Sequence, residues 1–172
     1  MSLIRQLADF EQVRVALLDE LESRDPRLLT ARLRPDSWSQ LEIVEHLAVA
    51  ERVVFRSLPD HDTLVDHPRS LAHTTRALLV REILRFGIPV TVPSSEMRPT
   101  GRRSLKNIRT LWDENQGWLR AWIRSRDARA LHWRVFWHPV SGPLSTHDAV
   151  ALGALHLTTH LRQIRRLQTR IR

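Results

Sequence analysis

Cysteine is absent from the 172-residue sequence. The chain therefore offers no thiolate nucleophile, no zinc ribbon, no iron–sulfur ligand set and no disulfide framework. Any catalytic or metal chemistry has to use histidine, carboxylate or hydroxyl groups, or a group that the chain binds.

Long apolar runs are also missing. No stretch approaches the length of about 18 apolar residues that a transmembrane helix requires. Residues 1–19 contain acidic side chains where a signal peptide would be apolar. We therefore expect a cytoplasmic protein with no membrane segment.

Glycine is scarce, and the five glycines lie singly along the chain. Neither G-x-G-x-x-G nor G-x-x-x-x-G-K-[ST] occurs, so the sequence does not support a dinucleotide-binding or P-loop protein. Hydrophobic residues make up 42% of the chain and charged residues 27%, as in ordinary globular proteins. We expect one domain over residues 1–172.

Positive charge is concentrated in the second half of the chain. Residues 1–86 hold 12 arginines and 14 acids, a net charge of −2, whereas residues 87–172 hold 15 basic residues and 5 acids, a net charge of +10. A basic half of this kind attracts anions, although the preference for arginine over lysine can equally reflect coding composition. Because the tryptophans follow helical spacing, which is typical of core packing, we do not expect a nucleic-acid partner.

Hydrophobic spacing predicts helices and no convincing set of strands. Capping boxes begin two of the helices, at Ser39 with Glu42 and at Ser145 with Asp148. A short aromatic run at 131–137 could be extended. Helices are predicted over residues 3–22, 70–86, 104–126 and 146–170. A further helix is predicted to begin at residue 40, and its apolar stripe reaches Val54.

The dominance of long helices favours an all-α bundle with one long crossover. Residues 59–68 form a polar connection. Three prolines interrupt residues 88–100 and indicate an irregular, largely extended crossing segment.

Histidine supplies the candidate site. His156 and His160 are spaced four residues apart and therefore share one helix face, but random placement would give roughly 0.4 such pairs in this composition. His46 borders the apolar stripe of another helix and is the candidate third ligand. Three neutral imidazoles can hold a divalent cation with an open coordination position. The alternative is three histidines at the edge of the core, bonded to water or backbone.

Several neighbours have a functional and a structural interpretation. Glu42 can be a ligand or base, but completion of the capping box is favoured. Gln163 lies three residues after His160, where an outer-shell role is slightly favoured. His138 is the remaining histidine best placed to approach the site, although a turn role is favoured for it. Three further histidines are expected to be mostly solvated: His61, His67 and His73.

Two segments, residues 34–51 and 138–167, resemble those of the DinB-like, or YfiT-like, four-helix-bundle superfamily. The matching features are a tryptophan before the second helix, His46, an HP-x-x-G turn, and H-x-x-x-H-x-x-Q formed by His156, His160 and Gln163. Residues 95–101 also resemble the family's crossing segment. The resemblance implies an all-α four-helix bundle with a long crossover between the second and third bundle helices. It also implies a divalent metal bound by His46, His156 and His160.

Family members with known activities include bacillithiol S-transferases and mycothiol-dependent isomerases, and several are homodimers. The resemblance therefore implies a metal-dependent enzyme of the thiol S-transferase or hydrolase type, with a small-molecule substrate and a homodimeric assembly. Zinc, nickel, iron or manganese would suit the site, and a low-molecular-weight thiol is a candidate cofactor. The alternative is a non-catalytic, metal-stabilised or small-ligand-binding bundle, associated with stress. No residue is identified as the general acid or base.

Overall fold

A computed structural model describes residues 2–57, 64–88, 92 and 94–171 of the chain. These residues are mostly helical, and none of their helices has both the length and the hydropathy needed to cross a bilayer. The helices are α1 (Leu3–Glu22), α2 (Pro26–Thr30), α3 (Gln40–Arg56), α4 (Leu71–Phe86), α5 (Leu105–Arg124) and α6 (Thr146–Arg170). The strands β1 (Arg134–His138) and β2 (Gly142–Ser145) form an antiparallel hairpin.

The helix boundaries agree closely with the hydrophobic pattern and the caps. α1 and α6 cover the predicted ranges, and both predicted capping boxes are present, at the starts of α3 and α6. The short helix α2 is an addition: Asp25 caps it and Pro26 occupies its first turn. Asp25 and Pro26, which follow α1 closely, therefore begin the next helix.

The aromatic run that could be extended forms one strand of a hairpin, and a second strand pairs with it. Phe136 pairs with Leu144 and Trp137 with Pro143. The aromatic run supplies β1, but β2 has only four residues and all of them are buried, so no alternation of polar and apolar residues marks it in the sequence.

Four helices, α1, α3, α5 and α6, share one apolar core. Leu18, Ile43, Ile108 and Ile164 come from these four helices in turn, and each is completely buried. Burial of such a side chain stabilises the fold by about 1.5–3 kcal/mol. This core holds α3 and α6 in fixed positions, and those two helices carry the candidate ligands.

Helix α4 lies in the chain between α3 and α5 and packs on α6 and β2. None of its residues is fully buried. His73 packs against Trp137, with ring centroids 5.9 Å apart, and against Gly142, where an added Cβ would lie 2.6 Å from the imidazole. His73 is thus a packing residue rather than a solvated one, whereas His67 is exposed. His61 lies outside the described residues.

A buried carboxylate fastens the segment before α5 to α3. Glu45 is completely buried and accepts hydrogen bonds from the Thr100 hydroxyl at 2.7 Å, the Gly101 N–H at 2.9 Å and the Arg103 guanidinium at 2.6 Å. Burial alone would raise the pKa of Glu45, but these hydrogen bonds outweigh it and hold the pKa below its usual value. The fastening places the backbone around Met97 beside α3.

We expect Glu45→Gln to lower the free energy of unfolding by about 1–3 kcal/mol at neutral pH, because a charged acceptor of three hydrogen bonds is replaced by a neutral amide. Urea denaturation measures the change. Glu96→Gln is the matched control, since Glu96 is exposed on the same segment. Equal urea midpoints for the two variants would contradict the role given to Glu45.

Candidate metal centre

Three imidazoles meet between α3 and α6. The Nε2 atom of His156 lies 3.2 Å from the Nε2 of His46 and 3.1 Å from the Nε2 of His160. One ligand nitrogen from each ring lies within 4.8 Å of the other two. In the part of the chain that the structure describes, no other group of three histidine or acidic side chains brings its ligand atoms this close.

The hydrogen bonds at the far side of two rings determine where their protons lie. The Nδ1–H of His46 donates to the Met97 carbonyl at 2.7 Å, and the Nδ1–H of His160 donates to the Gln163 side-chain oxygen at 2.9 Å. Both Nε2 atoms therefore present lone pairs. His156 meets these two lone pairs with one Nε2 atom, which carries at most one proton. A cation satisfies this arrangement better than hydrogen bonds do.

Burial keeps all three imidazoles neutral near pH 7. It lowers the pKa of His46, even though the hydrogen bond to Met97 acts in the opposite direction. It lowers the pKa of His160 to about 4, and His46 adds to the effect. Burial and the neighbouring histidines place the pKa of His156 well below its usual value. Neutral imidazole is the form that binds metals.

The nitrogen spacing fits a divalent ion. With zinc–nitrogen bonds of about 2.0–2.1 Å, two nitrogens stand about 3.3 Å apart at a tetrahedral angle and about 2.9 Å apart at a right angle. The two Nε2 separations of 3.1 and 3.2 Å fall between these values. Three protein ligands also leave coordination positions open, as in catalytic rather than structural sites.

Some residues around the triad contact its imidazole rings, whereas others have separate roles. The ring of Trp38 packs on His46, with centroids 5.0 Å apart. Gln163 accepts the hydrogen bond from the Nδ1–H of His160, so Gln163 occupies the position of an outer-shell residue. Glu42 completes the capping box with Ser39 and forms an ion pair with Arg32. Within the described residues, no hydrogen bond joins Glu42 to an imidazole.

His138 combines a turn role with a place near the site. Its Nδ1 accepts the N–H groups of Val140 at 3.2 Å and Ser141 at 3.0 Å, which places its proton on Nε2. Burial lowers the pKa of His138 to about 4, so the ring is a neutral donor. His138 lines the same cavity as the triad.

A cavity of about 910 Å³ extends from the triad into the molecule. Its wall includes apolar side chains from three helices: Leu47, Ala50, Val54 and Phe55 of α3, Val80, Ile83 and Leu84 of α4, and Ala149, Val150 and Leu152 of α6. A space of this size accommodates a small organic ligand.

Glu51 is a carboxyl group in this wall that the sequence analysis missed. It accepts hydrogen bonds from the indole N–H of Trp112 at 2.9 Å and the amide of Gln116 at 2.7 Å. Burial raises its pKa to about 7, against the effect of those two donors. The available clue was spacing, because Glu51 lies four and eight residues after Leu47 and Ile43, on the apolar stripe of α3.

We expect the purified chain to bind about one divalent ion and His156→Ala to lose it, because the central imidazole contacts both others. Inductively coupled plasma mass spectrometry gives the metal content. His132→Ala is the control, since His132 is exposed and belongs to no cluster of three. Metal retained by His156→Ala at the parent level would contradict the site.

Glu51→Gln should change how stability depends on pH. Between the ordinary pKa of 4.5 and the native pKa of about 7, the native state holds a proton that the unfolded state releases, so rising pH lowers the free energy of unfolding. The Glu51→Gln variant has no carboxyl group to titrate at this position, so its free energy of unfolding does not fall for this reason. Its stability relative to the parent should increase by about 1–3 kcal/mol from pH 4.5 to pH 8, below the full effect because cavity water reaches the group.

Urea denaturation of both proteins across this pH range measures the difference. Protonation of the histidines contributes equally to both proteins and cancels. The Gln116 side-chain oxygen has no hydrogen-bond partner, so rotation of that amide gives the variant an acceptor for its new N–H group. A stability difference that does not change with pH would show that Glu51 has an ordinary pKa.

One comparison with known proteins agrees with this architecture. A family model described as the DinB superfamily matches residues 9–164. A search of the curated proteins found no match, and neither did a search of the solved structures. The matched range contains the three clustered histidines and nearly all of the four core helices. The chain belongs to the DinB superfamily.

Proposed function

We propose that this protein is a metal-dependent enzyme of the thiol S-transferase or hydrolase type that acts on a small organic substrate. His46, His156 and His160 would bind one divalent ion, which is zinc, nickel, iron or manganese. The observation that carries the proposal is the convergence of three neutral imidazole nitrogens at the wall of a cavity of about 910 Å³.

The donor set supports catalysis over a purely structural role. Structural zinc sites usually have four protein ligands, whereas three ligands leave a position for water or substrate. The apolar core that joins the four helices also provides a fold that does not rest on a metal. When bound, a divalent ion supplies Lewis acidity and lowers the pKa of a water or thiol that coordinates it.

The surrounding residues orient the ligands and prepare the cavity. Met97 and Gln163 fix the ring orientations of His46 and His160 through the Nδ1–H bonds. The Nε2–H of His138 is a hydrogen-bond donor for a substrate in the cavity. The apolar walls restrict bulk water, which strengthens each of these electrostatic interactions.

The absence of cysteine determines the form of the thiol-transfer alternative. The chain has no thiol of its own, so the nucleophile would be a diffusible low-molecular-weight thiol. Hydrolysis needs only water as the second reactant. A homodimer stays a prediction that rests on the family resemblance.

Activity assays on metal-loaded protein test the proposal. The probes are 4-nitrophenyl esters for hydrolysis, and monochlorobimane with a small thiol for S-transfer. We expect turnover of at least one probe that disappears with a chelator and returns with metal. It should fall by about a hundredfold or more in His160→Ala, because a lost ligand removes the ion. His132→Ala should retain the parent rate.

The non-catalytic alternative predicts a different result in the same experiments. Metal would raise the melting temperature through preferential binding to the native state, and none of the probes would be turned over above the rate of His160→Ala. That result would overturn the enzymatic proposal and favour a metal-stabilised or ligand-binding bundle.

A further inference from the structure

The cavity changes character along α6. Ala149 and Gly153 line it before the triad, His156 and His160 line its centre, and Arg166 lines it beyond. With a rise of about 1.5 Å per residue, Ala149 lies about 10 Å before His156 along the helix axis and Arg166 about 9 Å beyond His160. The triad therefore lies between an apolar end and a cationic end of one cavity.

The opposite wall has the same arrangement, with a cationic end, a histidine in the middle and an apolar end. On α3 and the segment before it, Arg34 and Trp38 precede His46, and Ala50 and Val54 follow it. His46 faces His156, while Val54 and Ala149 pack on the same hydrophobic cluster near the hairpin. The two helices thus run in opposite directions, and their apolar stretches face each other. We call this end of the cavity the apolar chamber.

Four exposed arginines surround the other end, and we call them the arginine rim: Arg34, Arg98, Arg162 and Arg166. The rim includes one acid, Asp36, which lies 3.5 Å from Arg34. Within the described part of the chain, the other three arginines form no ion pair, although Arg162 donates to the Arg85 carbonyl. Four cations and one anion give the rim a net charge of +3.

We propose that the cavity binds an amphipathic organic anion, with its acidic group at the arginine rim and its apolar chain in the apolar chamber. Guanidinium groups bind carboxylates and phosphates through paired hydrogen bonds, and the chamber gains free energy when it buries hydrocarbon. The bonds between head group and chain then lie beside the triad. This assignment names the substrate class of the proposed enzyme and rests on that function for turnover, whereas binding needs no metal.

Isothermal titration calorimetry on the chelator-treated chain tests the binding. The probes share a ten-carbon chain: decanoate, decyl phosphate, decan-1-ol and decyltrimethylammonium. We expect at least one of the two anions to bind about tenfold or more tightly than the alcohol, with no measurable binding of the cation. The two anion titrations show whether the rim prefers a carboxylate or a phosphate. Equal affinity for anion and alcohol would overturn the proposal.

Variants at the arginine rim test where the head group lies. The double variant Arg98→Gln with Arg166→Gln should weaken binding of the preferred anion about tenfold or more. Arg170→Gln is the matched control, because Arg170 is exposed on α6 but does not line the cavity. If the double variant and the control bind the anion equally, the head group does not lie at the rim.

Gly153→Leu tests where the chain lies. A Cβ at Gly153 would contact only Phe10, at 3.9 Å, so the helix accepts a side chain there and the added leucine extends toward the apolar chamber. We expect decanoate or decyl phosphate to bind about tenfold more weakly, with little change for the six-carbon analogue of the same anion. Unchanged affinity for both chain lengths would place the chain elsewhere.

Failure of this inference and failure of the proposed function give different results. Selective anion binding by the metal-free chain supports the inference even if metal-loaded protein turns over no probe. Metal-dependent turnover of neutral esters, without preference for anions in calorimetry, supports the enzyme and overturns the inference.

Discussion

Neutral imidazoles that present lone pairs to one another repel, and the fold has to hold them together. Three imidazole nitrogens meet between α3 and α6, and groups behind the rings of His46 and His160 direct the lone pairs of those two rings toward His156. Gln163 orients His160 from the same helix. The Met97 carbonyl orients His46 from a separate segment, which the buried carboxylate of Glu45 fastens to α3. The core that joins four helices then fixes the distance between α3 and α6.

The sequence predicts the parts of this design that are local. Helical spacing and capping boxes predict α1, α3 and α6, and a separation of four residues places His156 and His160 on one face. The resemblance to a family then identifies His46 as their partner. Other features depend on contacts between distant segments. The strand β2 is too short and too buried to show alternation. Glu51 becomes unusual only because packing in the folded chain buries its carboxyl group, and burial outweighs the hydrogen bonds from Trp112 and Gln116.

The charges of the cavity separate by position. Burial of Glu51 favours its protonated form, against the effect of its two neutral donors, so this part of the wall carries little charge below neutral pH. The imidazoles at the centre are neutral for the same reason. Positive charge is kept at the exposed end, where water solvates the guanidinium groups. An incoming molecule therefore meets long-range attraction first and apolar contact afterwards.

Helix α4 forms one wall of the cavity, yet none of its side chains is fully buried. Substitutions along it therefore alter the shape of the cavity while removing little of the apolar burial that stabilises the core. Selection can act on this wall almost independently of the triad and the four core helices. A bundle built in this way can acquire new ligands through changes in one helix, while its three clustered histidines and its folding remain the same.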